Sequence, residues 1–149
     1  MHPFDIKAAL LAKHAQHVVL IHFPIALFIA GVAFDFVAQW TKRRSLAAAA
    51  FWNLLGAAFS TVPVLLSGIL AWQWQLEGQR LKGILLIHLV LGGLSVVLIW
   101  AACLVHMRTQ RNPDLALPGY RWPIEVLGVA LVTVTGHLGG FLSGVNVPS

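Results

Sequence analysis

Histidine is the residue type in this sequence most able to do chemistry, and four of the seven histidines lie where apolar side chains are expected. His17 and His22 fall inside "HVVLIHFPIAL", His88 inside "GILLIHLVLGG" and His137 inside "TGHLGG". Imidazoles that face one another in an apolar medium suit a short set of tasks. Two can be the axial ligands of a b-type haem, and several can hold copper or zinc. One can hydrogen-bond a quinone or pass a proton. The alternative is a cofactor-free cluster that only fixes the register of neighbouring helices in a structural subunit. A lone histidine on an apolar face is more often structural than not, so the weight rests on convergence. His2, His14 and His106 fall in tails or loops by sequence and read as solvated.

The elements that must position these side chains are membrane helices. Of the 149 residues, 58% are hydrophobic and 10% charged, with a mean hydropathy of +0.81. Soluble domains run at about 45–50% apolar and about 25% charged, so the composition predicts an integral membrane protein. Four apolar runs reach the ~20 residues a span needs, over about 18–40, 46–72, 81–105 and 123–142. Trp40, Trp72, Trp74 and Trp122 mark their ends as an interfacial belt. The links between them are short, which predicts an all-α fold: an antiparallel four-helix transmembrane bundle forming one domain over 1–149. Phe4, Ile6, Leu10 and Leu11, interleaved with Lys7 and Lys13, read as a short amphipathic N-terminal helix on the membrane surface rather than a cleavable signal. Pro63, within "STVP", predicts a kink in the second span, with Ser60 and Thr61 available to the freed backbone groups.

Antiparallel spans bring the start of the first, the start of the third and the end of the fourth to one membrane side. His22 then lies ~7 Å, His88 ~10 Å and His137 ~9 Å below that surface at 1.5 Å per residue, with His17 at the rim. Gly92 follows His88 by one turn, and Gly136 and Gly140 flank His137. Gly136, Gly140 and Gly144 share a helix face, which suits either helix packing or a flat macrocycle. Thr133, Thr135, Ser67 and backbone carbonyls are available to orient the ring nitrogens. Asp35 falls ~20 Å beyond His22 and reads as a residue that caps the span or snorkels beside "KRR", as an ion pair with it, with half of a proton route as the alternative. Cys103 reads as a small buried hydrophobe.

Several functions are excluded. The single cysteine allows no disulfide framework and no C-x-x-C-H haem attachment. The net charge of +5 belongs to loops and headgroup contact, not to nucleic acid. No nucleophile–base pair, phosphate loop or paired carboxylates support independent catalysis, which leaves a part in an oxidoreductase as the enzymic role. Lys42, Arg43, Arg44, Arg108, Arg111 and Arg121 on one side outnumber Lys7, Lys13, Arg80 and Lys82 on the other. That balance predicts a cytoplasmic position for the first set and extracytoplasmic termini.

With those residues in place, the chain resembles the four-helix bacterial membrane proteins of domain-of-unknown-function family 2231. The resemblance rests on "HVVLIHFPIAL", Asp35, "RLKGILLIH" and "TGHLGGFLSGVNV", in that order, over about 17–147. Val18 follows His17 where the family has proline. The family's fusions to c-type cytochrome and Rieske-type domains imply electron transfer at a bacterial cytoplasmic membrane, with extracytoplasmic partners of those kinds or quinone. The expected function is therefore a membrane-embedded carrier of single electrons through haem b, with His88 and His137 as the favoured ligands and His22 as a third candidate. Copper or zinc binding or transport by the same histidines is the alternative, and homo-oligomerisation is left open.

Overall fold

The computed structural model describes residues 13–75, 78, 80–112 and 116–143. Its helices are α1 (Lys13–Leu20), α2 (His22–Thr41), α3 (Arg44–Gln75), α4 (Gly83–Arg111) and α5 (Arg121–Leu142). Only Ile21 separates α1 from α2, and its backbone is itself helical at φ −61°, ψ −25°. The Ile21 amide still donates to the His17 carbonyl at 3.0 Å, while the next bond, Ile25 to Ile21, stretches to 3.5 Å. Pro24 explains the interruption. It has no N–H to return to the Leu20 carbonyl, and its ring crowds that turn. Helix α1 therefore leads directly into α2, and 16–41 reads as one span. The expected surface helix falls on Phe4 to Leu11, outside the described residues.

Four helices are long and apolar enough to cross a bilayer, as the composition predicts. The helices outrun the expected spans at both ends of α3 and at the far end of α4, which continues six residues past Val105. Polar residues mark where lipid ends, not where backbone hydrogen bonding ends. Helix α3 continues through Pro63. The nearby hydroxyls of Ser60 and Thr61 donate to the carbonyls of Ala57 and Ala58, at 2.8 and 2.6 Å. They serve their own turn rather than the Phe59 carbonyl that Pro63 deprives of a donor.

Two residues, Lys42 and Arg43, join α2 to α3, with Lys42 in the left-handed region at φ 57°. So short a link folds α3 straight back on α2. Helices α2 and α3 form one closely packed pair and α4 and α5 the other; α3 against α4 and α2 against α5 close the bundle. The dry centre holds Phe28, Leu54, Ala57, Ala58, Ile99, Ala102, Cys103 and Val132. Phe28 is admitted by Gly128, where a Cβ would stand 2.7 Å from the ring. On the outside, Trp52, Phe59, Val97 and Val126 are each more than 60% exposed, a surface that fits lipid. Trp40 and Trp74 lie exposed near helix ends, as an interfacial belt requires.

Candidate functional site

At the end of the bundle where α1 begins and α5 ends, the helices separate around an apolar cavity of about 550 Å³. Its wall takes His17, Ile21 and Pro24 from the first span, Thr61 and Gly68 from α3, His88 and Gly92 from α4, and Thr135, Gly136 and Gly139 from α5. The glycines on this wall make room in different ways. A Cβ at Gly92 or Gly136 would meet only the tips of Thr135 and Ile25, at 3.7 and 3.4 Å, and Gly93 faces open space. Those positions widen the cavity instead of pressing two helix backbones together.

Gly68 and Gly139 instead seat the two imidazoles. A Cβ at Gly68 would lie 3.1 Å from His17 Cε1, and one at Gly139 would lie 3.3 Å from His88 Cε1. Because Gly139 has no side chain, His88 reaches the carbonyl one turn back, and its Nδ1–H donates to the Thr135 oxygen at 3.1 Å. The Ser67 hydroxyl lies 3.0 Å from the Val64 carbonyl and 2.9 Å from His17 Nδ1, and so orients that ring. The His88 ring, facing a carbonyl, is held as the Nδ1–H tautomer with the lone pair on Nε2. This is the arrangement by which a protein orients a metal-ligating histidine. Ser67 and the Thr135 carbonyl belong to the orienting groups that the sequence offers. Thr133 lies exposed and bonds its own helix at Val129.

The other two candidates are placed differently. His22 is exposed, with its Nδ1 2.7 Å from the Val18 carbonyl. His137 is exposed with its ring edge-to-face on Phe141, centroids 5.0 Å apart. Direction around each helix separates the candidates. One residue turns a helix by ~100°, so His22 points away from the face of Ile21 and Ile25, and His137 away from that of Gly136 and Gly139. Gly92 and Gly136 line the cavity, Gly140 does not, and Gly144 lies outside the described residues.

The opposite end of the bundle holds a second polar group that the sequence reading did not assemble. Asp35, His106, Arg121 and Glu125 are all buried, none more than 4% exposed. Arg121 Nε donates to Asp35 Oδ2 at 2.8 Å, and His106 Nε2 lies 3.0 Å from Glu125 Oε1. Three expectations are corrected here. Asp35 is not a snorkelling cap among "KRR", because Arg121 of α5 holds it inside the bundle. His106 is not solvated, because α4 runs on past Val105 and turns it toward Glu125. Arg121 is not a loop cation, and it leaves the charge count that sets orientation. One signal was present in the sequence: Glu125 is an acid within an expected span, four residues after Arg121 and so on the same helix face. Cys103 is buried among apolar neighbours, as expected.

Together these features define a multi-pass membrane helix bundle with a histidine-bearing apolar cavity at one end and a buried ionic quartet at the other. The family model for DUF2231, described as a predicted membrane protein, matches residues 13–146, and the chain belongs to that family. No curated protein and no solved structure matches the chain.

Proposed function

We propose that the cavity holds a b-type haem between His17 and His88, and that the protein carries single electrons within a bacterial cytoplasmic membrane. One observation carries this reading. Two imidazoles from different helices, each seated on a glycine and fixed through Nδ1, face one apolar cavity. Its ~550 Å³ lies in the ~300–1,000 Å³ range of cofactor pockets. Gly92, Gly93 and Gly136 leave wall clearance for a flat ring system. Leu81 lines the cavity between exposed Arg80 and Lys82, which suits the acidic substituents of such a group. The group would supply a one-electron couple; the protein's part is to fix two imidazoles and exclude water.

Copper or zinc in the same place is supported less well. Apart from His17 and His88, the described residues bring no histidine, cysteine or carboxylate to the cavity wall. Lys42, Arg43, Arg44, Arg108 and Arg111 favour a cytoplasmic position for the opposite end. The cavity is then extracytoplasmic, within reach of a c-type cytochrome or Rieske-type partner. The test is the absorption spectrum of the protein purified in mild detergent from cells supplied with haem, oxidised and then reduced with dithionite. A sharp reduced α-band supports the reading. A folded, colourless protein overturns it, and elemental analysis then separates a copper or zinc site from a cofactor-free subunit.

A further inference from the structure

We infer that the quartet Asp35, His106, Arg121 and Glu125 is a proton-binding site, separate from the cavity, which takes up and releases one proton through the Lys42–Arg44 end of the bundle. The inference begins with charge. Asp35 and Arg121 neutralise one another through the 2.8 Å bond. Among the described residues, Glu125 then has His106 alone as its partner, at 3.0 Å. With His106 neutral, the buried group carries one net negative charge, and a buried uncompensated ion costs several kcal/mol. One added proton, on the imidazole or on the carboxylate, makes the quartet neutral. A divalent metal on the same ligands would leave one net positive charge beside Arg121, so a proton fits and a divalent cation does not. Each pair also keeps bonding capacity in reserve. Asp35 Oδ1, Arg121 Nη2 and Glu125 Oε2 are buried without a hydrogen-bond partner among the described residues, so the network can rearrange as the proton arrives.

The route is on the same side of the molecule. Asp35 lines a cleft of about 170 Å³ together with Lys42, Arg43, Arg44 and Leu117. That volume admits several waters at ~30 Å³ each. A hydronium in the cleft gives up its proton to Asp35, the quartet member on the cleft wall, and remains as water. The proton passes on to His106 or Glu125, whose ring nitrogen and carboxylate oxygen lie within 4.8 Å of an Asp35 oxygen, and release is the reverse. The cations at the mouth lower the local proton concentration but leave exchange along water open. Toward the cavity the way is closed. His106 and Glu125 each lie seven residues, ~10 Å of helix, from the cavity-lining Ile99 and Val132, with Phe28, Ala102 and Cys103 packed between.

The test is infrared difference spectroscopy of the detergent-solubilised protein stepped from about pH 4 to about pH 10, with ¹⁵N-histidine NMR over the same range. The wild-type protein is expected to show a protonation change at Glu125 or His106. Asp35→Asn and Glu125→Gln each make the quartet neutral without the extra proton, so both are expected to lose that change. If one variant fails to fold, the other decides. A wild-type quartet that does not change, or a change that persists in the variants, overturns the inference. So does a stoichiometric metal that both variants lose.

Discussion

A side chain's surroundings decide its role at the residue scale, and the two ends of this bundle use histidine in opposite ways. His88 and His17 hydrogen-bond through Nδ1 to neutral oxygens, whereas His106 faces a carboxylate. The Asp35–Arg121 pair invites a direct measurement. Removing one partner of a buried ion pair leaves the other charged and uncompensated, at ~3–5 kcal/mol. Arg121→Met, which leaves two buried carboxylates facing one imidazole, is therefore expected to destabilise the detergent-solubilised protein by about that amount in reversible unfolding. Adding Asp35→Ala, which removes the stranded carboxylate, is expected to restore most of the loss. Strictly additive losses in the double variant would show that the two side chains are not coupled.

At the scale of the element, small residues decide how closely the helices approach. Phe28 of α2 reaches the centre only because α5 carries Gly128 there. Gly128→Val places methyl groups where the ring already stands and is expected to cost about 1–3 kcal/mol by overpacking. An unchanged unfolding midpoint would contradict the packing of α2 against α5. The helices themselves were legible in the sequence, because runs of twenty apolar residues admit little else in a bilayer. Their ends were less so, since charged residues past Val105 mark the lipid boundary while α4 goes on hydrogen-bonding to Arg111. That extension is why His106 was misread. The direction of the candidate histidines was not legible, because the azimuth of His22 or His137 depends on how each helix is rotated in the bundle. Only packing contacts such as Phe28 on Gly128 fix that rotation.

Over the whole molecule, an apolar layer centred on Phe28, Leu54, Ala102 and Cys103 separates a cofactor-sized cavity from an ionic site. The proposed orientation puts the ionic site toward the cytoplasm. A cysteine at Arg43 in intact cells is then expected to escape a membrane-impermeant maleimide, while one at Gly78 is labelled; the reverse pattern would invert the topology. Buried Cys103 is expected to stay unreactive in both. The most direct measurement of the central claim compares reduced-minus-oxidised spectra of four single variants made in haem-supplied cells. His17→Ala and His88→Ala are expected to lose the α-band of the wild-type protein, while His22→Ala and His137→Ala keep it. Loss in His137→Ala or His22→Ala with retention in His17→Ala would contradict the cavity assignment.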